Sequence, residues 1–245
     1  ANCFEVLVLT LMLLEKYGGE AIRFWAATEG DLAKQDLKCS EDRISGEKKT
    51  LNKLLNVSKF VMMFDKPEKK PEITKTDNLF INYIEGLTRD VDESYEKYDF
   101  YKPAQKLRRF LWEVFASNYV ELVKGRAYNT DGKFSDEESN SAKWSLHYIL
   151  ERFLHLVYPI IPQITTLIGK EKGLDLLTVK WPHVEGKPNL KRDSEIIEKV
   201  LEFNSMVWKK KKDEGISLRD EISGIEIPKE LLDFENDLKN CHGLK

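Results

Sequence analysis

From residues 102 to 127 the chain reads KPAQKLRRFLWEVFASNYVELVKGRA, and this stretch decides the fold class. The residues of one face, apolar except for Asn118, recur every three or four positions, and further aromatic residues widen the stripe. The members are Ala104, Leu107, Phe110, Leu111, Val114, Phe115, Asn118, Tyr119 and Leu122. This period is that of an α-helix, so the stretch predicts one long helix with a broad buried face.

A second stripe predicts a second long helix in the following segment. Its members are Leu146, Ile149, Leu150, Phe153, Leu154 and Val157. The stripe runs into YPIIP at residues 158–162, where Pro159 and Pro162 lack the N–H groups that a continuing helix requires. We therefore expect the helix to kink or stop there.

Two more helices are predicted at about 43–64 and 78–97, separated by the exposed connector DKPEKKPEITKTD at residues 65–77. Polar loops such as NTDGKFSDEESNS at 129–141 join the four helices, which is typical of a bundle.

After residue 170 the helical period fades. A helix at about 194–212 is followed by two short strand candidates, ISL at 216–218 and GIEIP at 224–228, and by a last helix near 229–240. The fold class predicted from the residues is mainly α, a helical bundle with a small α+β C-terminal appendage.

Composition sets limits on the function. The 245 residues are 41% hydrophobic and 33% charged, typical of a soluble globular chain, and the net charge is −3. A polyanion site would therefore have to be local. Cys3, Cys39 and Cys241 lack metal-binding spacing and indicate free thiols in a reducing compartment. The apolar run at residues 6–14 is too short for a membrane span and predicts a buried helix or strand.

No catalytic or phosphate-binding motif is recognisable. The sequence contains neither GxxxxGK nor GxGxxG, and the four histidines do not combine with other residues at metal-ligand spacing. We expect no cofactor, no metal and no bond-making chemistry in this chain.

Cations, amides and an aromatic ring flank the buried stripe of the helix at 43–64. Lysine and arginine neutralise phosphates, amides bind base edges, and aromatic rings stack on unpaired bases. The candidates are Arg43, Asn52, Lys53, Asn56, Lys59 and Phe60. A solvated face of a protein-interaction module would show the same pattern, and composition does not separate the two.

Two further groups are candidates for RNA contact. Lys124 and Arg126 lie at one end of the long helix, where cations also complement the helix dipole. Trp208, Lys209 and Lys210 belong to the densest positive run, WKKKK at 208–212, which suits either a phosphate track or a frayed helix end.

Five segments in order resemble the valyl-tRNA synthetases of archaeal type, which are class I aminoacyl-tRNA synthetases. They are EKYGGEAIRFWAA at 15–27, NKLLNVSKF at 52–60, FASNYVELVKGRAYN at 115–129, LHLVYPIIPQIT at 154–165 and VWKKKKDEGISL at 207–218. The resemblance covers about residues 15–245 and corresponds to the C-terminal, anticodon-binding part of the family. Leu55 and Lys59 replace the tryptophan and arginine of the family pattern.

The resemblance implies a division into a junction following a catalytic domain at 1–35, an anticodon-binding helical bundle at 36–170 and a C-terminal subdomain at 171–245. It also implies that the helix carrying NKLLNVSKF faces the anticodon of tRNA(Val), with Phe60 stacking on a base. Asn52, Lys53, Asn56, Lys59 and, more approximately, Arg43 take their role from the same match.

Both catalytic signatures of the family are absent, so the chain alone is expected to be inactive. In the parent enzyme the resemblance implies valine activation with ATP and Mg²⁺, transfer to tRNA, and a cytoplasmic, monomeric protein whose catalytic domain contacts this part. The alternatives are the same domain of a leucyl or isoleucyl relative, or a helical protein-interaction module without RNA.

Overall fold

A computed structural model describes residues 3–30, 39–184 and 190–245, and these are mainly helical. The α-helices are α1 Cys3–Tyr17, α2 Gly19–Glu29, α3 Glu41–Met62, α4 Lys75–Tyr95, α5 Tyr101–Arg109, α6 Val120–Tyr128, α7 Asp136–Val157, α8 Pro162–Glu171, α9 Leu190–Asp213 and α10 Glu235–His242. A π-helical segment, Phe110–Tyr119, joins α5 to α6, and a 3₁₀ segment, Lys229–Phe234, precedes α10. The mainly-α prediction is confirmed.

Contacts divide the chain into two compact units that interleave along the sequence. The first unit takes residues 1–59, 88–109 and 151–183, and the second takes 60–87, 110–150 and 184–245. Helices α3, α4 and α7 each contribute to both units. The predicted boundary between residues 35 and 36 lies outside the described residues, and the division at 170 stays a prediction.

The predicted break after α7 is confirmed in the first unit. Helix α7 ends at Val157 and α8 begins at Pro162. Helix α2 satisfies polar groups that the break exposes: the Arg23 guanidinium donates to the carbonyls of Ile160 at 2.9 Å and Pro159 at 3.3 Å. The neighbouring Glu20 carboxylate accepts from the Ile164 backbone N–H at 3.2 Å. Arg23 and Glu20 thereby fix the turn.

The apolar run at residues 6–14 was predicted to form a buried helix or strand, and it is a helix. The expected burial is wrong for most of its described side chains. Leu13 is buried, whereas Leu11, Met12 and Leu14 are 52%, 62% and 40% exposed.

The long helix predicted at 102–127 is confirmed in extent and burial but contains a π-helical segment in its middle. All nine members of the predicted stripe are buried. The rings of Phe110 and Phe115 stack at 5.9 Å, and those of Phe115 and Tyr119 at 6.2 Å. A π turn spans more residues than an α turn, so residues four and five positions apart fall into register in one buried column.

The two predicted C-terminal strands are wrong. Within the described residues the only β-type pairing is an isolated bridge between Ile222 and Leu244. The Ile222 N–H donates to the Gly243 carbonyl at 2.9 Å, and the Lys245 N–H donates to Ile222 at 3.1 Å. The alternating residues 224–228 contact no second strand edge, so their local β preference has no ladder to complete.

Two helical glycines of the first unit should respond to alanine in opposite ways. A Cβ on Gly46 in α3 would meet nothing within 4 Å, whereas one on Gly169 in α8 would lie 2.7 Å from the Leu174 carbonyl oxygen. Gly46→Ala should raise the free energy of unfolding by about 1 kcal/mol, because alanine is the better helix former. Gly169→Ala should lower it by about 1–3 kcal/mol, since backbone must move.

Urea denaturation of both variants measures this difference. The pair is its own control, because the two substitutions are chemically identical. Equal stabilisation by both would contradict the close approach of residue 174 to α8.

Candidate nucleic-acid interface

The centre of the candidate interface is one exposed stripe of α3. Asn52, Asn56 and Lys59 are exposed and occur at intervals of four and three residues, which places them on the same helix face. Lys53 and Phe60 flank this stripe and are partly buried. The opposite side of α3 packs inward through Ile44, Leu51, Leu54 and Ser58, all buried. Burial of the leucines therefore turns the amides toward solvent.

The polar groups of this stripe are not occupied by the part of the chain that the structure describes. The side chains of Asn52, Asn56 and Lys59 form no hydrogen bond or ion pair with a described residue. Lys48, one turn before Asn52, differs because its ammonium donates to the Lys16 carbonyl at 3.0 Å. Two amides and one ammonium are thus free to bind a ligand.

Phe60 belongs to an aromatic cluster of the second unit. Its ring lies 5.3 Å from Phe64 and 6.1 Å from Tyr128, both edge to face. The ring of Tyr128, at the end of α6, lies 5.0 Å from the ring of Phe64. Tyr128 is 46% exposed. Phe60 and Tyr128 therefore form a partly exposed aromatic surface, whose rings are fixed by edge-to-face packing with each other and with Phe64.

Sequence reasoning did not select Tyr128, nor Met63, which is 66% exposed just beyond α3. Tyr128 is distant from Phe60 in the chain and follows no periodic pattern with it. The one signal that pointed to Tyr128 was its place in the segment 115–129, which is one of the segments that resemble the synthetase family.

Arg43 is not part of the stripe. It lies in the first turn of α3 and pairs with Glu29 of the first unit. Nine residues separate it from Asn52, and at about 100° per residue this puts the two on opposite sides of the helix. The structure therefore does not bring Arg43 together with the amides.

Arg126 is removed from the candidate site because it is only 1% exposed. Its guanidinium donates to Asp77 at 2.8 and 2.9 Å and to Asp237 at 2.9 and 3.2 Å. It also donates to the Glu138 carbonyl at 2.9 Å. Burial by itself lowers its pKa, but the two carboxylates outweigh burial and raise it. The prediction of RNA contact at Arg126 is wrong, because both carboxylates already neutralise its charge in the interior.

Lys124, on the same helix, keeps an exposed position. Its ammonium pairs with Glu121 one turn earlier, and both side chains are about half exposed. A surface pair of this kind contributes little to stability and exchanges readily with solvent or a phosphate.

The basic run of α9 offers fewer free cations than its sequence indicates. Lys209 is exposed, and the Lys210 ammonium is 4.0 Å from Glu214. Lys211 is buried, and its ammonium donates to the carbonyls of Leu218 at 3.1 Å and Asp220 at 2.6 Å. One of the four lysines therefore caps a turn of the second unit.

Trp208 is half-buried, with its ring 5.4 Å from the ring of His242. His242 Nε2 lies 2.7 Å from Asn204 Oδ1, and Asn204 donates to Asn118 Oδ1 at 2.7 Å. Burial, with the charge of Lys211 adding to it, lowers the pKa of His242 from 6.5 to about 4. His242 is thus a neutral ring that ties α10 to α9.

Across residues 3–30, 39–184 and 190–245, no cluster of three or more histidine, cysteine or acidic residues has the arrangement to hold a metal ion. Over the same ranges, none of the helices combines the length and the apolar character that crossing a membrane requires.

The sequence of this helical chain matches a known family. The family described as the anticodon-binding domain of tRNA ligase matches residues 77–227, more than half of the chain. The chain therefore belongs to the anticodon-binding domains of tRNA ligases, and this membership implies tRNA binding. The resemblance stated from the sequence is confirmed, and neither alternative is favoured.

The similar proteins include three archaeal valine–tRNA ligases. That of Pyrobaculum aerophilum is 35% identical over 94% of this chain, that of Nanoarchaeum equitans 35% over 95%, and that of Aeropyrum pernix 32% over 94%. The chain spans 29% of the length of each of these relatives.

Replacing Arg126 tests its structural role. Arg126→Met leaves two buried carboxylates without their cation and should lower the free energy of unfolding by about 3–5 kcal/mol. The control Lys124→Met, two residues away but exposed, should change it by less than about 0.5 kcal/mol. Urea denaturation gives both values, and similar values for the two variants would contradict the buried network.

Acid should destabilise the second unit through His242. The folded-state pKa of about 4 lies below the ordinary 6.5, so between these pH values the unfolded chain binds a proton that the folded chain excludes. The free energy of unfolding should therefore fall as the pH falls from about 6.5 to about 4, by at most about 3 kcal/mol. Urea midpoints across this range should vary less in His242→Gln, and an unchanged slope would contradict the assignment.

Proposed function

We propose that this chain holds the anticodon arm of tRNA(Val) through the exposed stripe of α3, for a valine–tRNA ligase whose catalytic part lies outside it. The observation that carries the proposal is the set of unoccupied amides of Asn52 and Asn56 beside Lys59 and Phe60. The similarity to valine–tRNA ligases supports the choice of amino acid.

The chemistry of the stripe suits an unpaired loop of RNA. Each amide offers a donor and an acceptor to the edges of bases, which are accessible only where the bases are not paired. The ammonium of Lys59 neutralises a phosphate, and the flat ring of Phe60 stacks on a base. Because Phe64 and Tyr128 hold that ring from the side, it loses little freedom when a base arrives.

Phosphate contacts outside the loop are assigned to the exposed cations of the other candidate groups. Lys209 and Lys210 on α9 and Lys124 on α6 reach solvent and add local positive charge to a chain whose net charge is −3. Lys53 beside the stripe has the same role. These contacts position the arm without reading its sequence.

The activity of the complete protein is part of the same proposal. Catalysis would be the ATP-dependent attachment of valine to tRNA, with Mg²⁺, in a cytoplasmic and monomeric enzyme. This chain would bind the anticodon, which is distant from the reacting end of the tRNA. The reacting groups would come from the rest of the protein.

Binding to an anticodon stem-loop of tRNA(Val), compared with a scrambled hairpin of equal length, tests the proposal. Affinity for the native loop should exceed that for the scrambled loop and should fall steeply as salt rises, because bound phosphates release counterions. Fluorescence anisotropy at several salt concentrations measures both. Equal affinity for the two hairpins at low salt would contradict the proposal.

Phe60→Ala should weaken binding to the native loop by about 1–3 kcal/mol, the scale of one base stacked on an aromatic ring. Phe60→Leu keeps apolar volume in the aromatic cluster but lacks a flat face, so it should lose nearly as much affinity with less loss of stability. Asn140→Ala, an exposed amide on α7, is the matched control for Asn56→Ala. If Asn56→Ala bound as tightly as Asn140→Ala, the amide would be excluded from the site.

A further inference from the structure

The first unit contains a cavity of about 460 Å³ that the proposed RNA contacts do not use. It lies beside the C-terminal end of α4, and three aromatic rings and two carboxylates line it together with an exposed tyrosine. These lining residues are Tyr95, Phe100, Trp181, Asp92, Glu96 and Tyr98, and Pro159 completes the lining. A cavity of this volume fits a small organic molecule or one long side chain.

The aromatic walls have a defined geometry. The ring of Tyr95 lies 5.3 Å from that of Phe100 and 5.9 Å from that of Trp181, the latter pair inclined at 69°. The Tyr95 hydroxyl donates to the Leu156 carbonyl at 2.9 Å, which fixes the ring against α7. Phe100 and Trp181 are 42% and 39% exposed, so part of each ring is open to a ligand.

Two of the lining residues, Asp92 and Glu96, are acidic. Asp92 on the last turn of α4 and Glu96, the first residue after the helix, are one turn apart, because the Glu96 N–H donates to the Asp92 carbonyl at 3.0 Å. Like charges at this spacing repel each other. Both lie at the C-terminal end of the helix, where the dipole also disfavours acidic groups, and the last turn of α4 contains no basic residue. Neither carboxylate forms an ion pair or a side-chain hydrogen bond within the described ranges.

Tyr98 adds an unusual feature at the rim. Its φ of 56° is left-handed, and the bonds Tyr98 N–H to Tyr95 and Asp99 N–H to Ser94, both 2.9 Å, complete a Schellman turn after α4. This left-handed position favours glycine, because the Cβ of any other residue strains the backbone there. A tyrosine ring, 85% exposed, nevertheless occupies it beside the cavity.

We propose that this cavity binds an organic cation, with the positive nitrogen group of an ammonium or guanidinium against the rings of Tyr95, Phe100 and Trp181 and near the carboxylates of Asp92 and Glu96. Aromatic faces attract such cations, and desolvation between rings strengthens the attraction. The bound charge would also relieve the repulsion between the two carboxylates. RNA phosphate is the wrong partner for this surface, because both carboxylates repel it.

Two pairs of probes test the charge and its source. Choline is compared with 3,3-dimethyl-1-butanol, its neutral isostere, and N-acetyl-arginine amide is compared with the neutral N-acetyl-citrulline amide. We expect the cation of at least one pair to bind on the order of tenfold tighter than its neutral partner. A preference for choline indicates a free small cation, and a preference for the arginine derivative indicates a basic side chain of a polypeptide.

The indole ¹H–¹⁵N resonance of Trp181 provides the readout on the full 245-residue chain, and its absence in Trp181→Phe assigns it. Glu96→Gln should weaken cation binding about threefold or more. Glu93→Gln should not, because Glu93 is an exposed carboxylate in the last turn of α4 that does not line the cavity. If neither cation binds more tightly than its neutral partner, the proposal is overturned. Equal effects of the two glutamate variants overturn it as well.

Tyr98→Gly separates binding from folding. Glycine relieves the left-handed strain, so the thermal midpoint should stay the same or rise while affinity for the preferred cation falls. Unchanged affinity would exclude Tyr98 from the site. Trp181→Leu should retain binding of the anticodon hairpin, so loss of the cation site and failure of the RNA proposal are distinguishable.

Discussion

The second unit depends on one buried cation held by two carboxylates. Arg126 on α6 links Asp77 on α4 to Asp237 on α10, and Asp77 also accepts from the hydroxyls of Tyr119 at 2.7 Å and Ser141 at 2.5 Å. Each group in this network would be costly to bury alone, and together they satisfy each other. Elements far apart in sequence therefore have only one arrangement in which these charges are paired.

The same principle decides which polar groups remain for a ligand. Where an interior partner exists, a cation is taken into the fold, as Arg126 and Lys211 are. Where the described part of the chain offers none, as for Asn52, Asn56 and Lys59 on α3, the side chain stays exposed and free to bind. The candidate interface thus consists of the polar side chains that the fold has not paired in its interior.

Much of the fold follows from local signals that need no partner. Apolar periodicity predicted α3, α4, α7 and the stretch at 102–127, because a helix that buries one face must repeat its apolar residues at that period. Pro159 and Pro162 predicted the break after α7, since a missing N–H acts wherever proline occurs. The strands at 216–218 and 224–228 failed for the converse reason: a strand needs a neighbouring edge, which no local pattern reveals.

The sequence by itself determined the helical class, the break after α7 and the amide face of α3, and its resemblance to a family indicated RNA as the ligand. Only the tertiary structure decided that Arg126 and Lys211 are interior, that Tyr128 supports Phe60, and that Tyr95 and Trp181 line an open cavity with Asp92 and Glu96. The physical reason is that helix formation depends on neighbours in the chain. Burial, charge pairing and ring packing depend on neighbours in space.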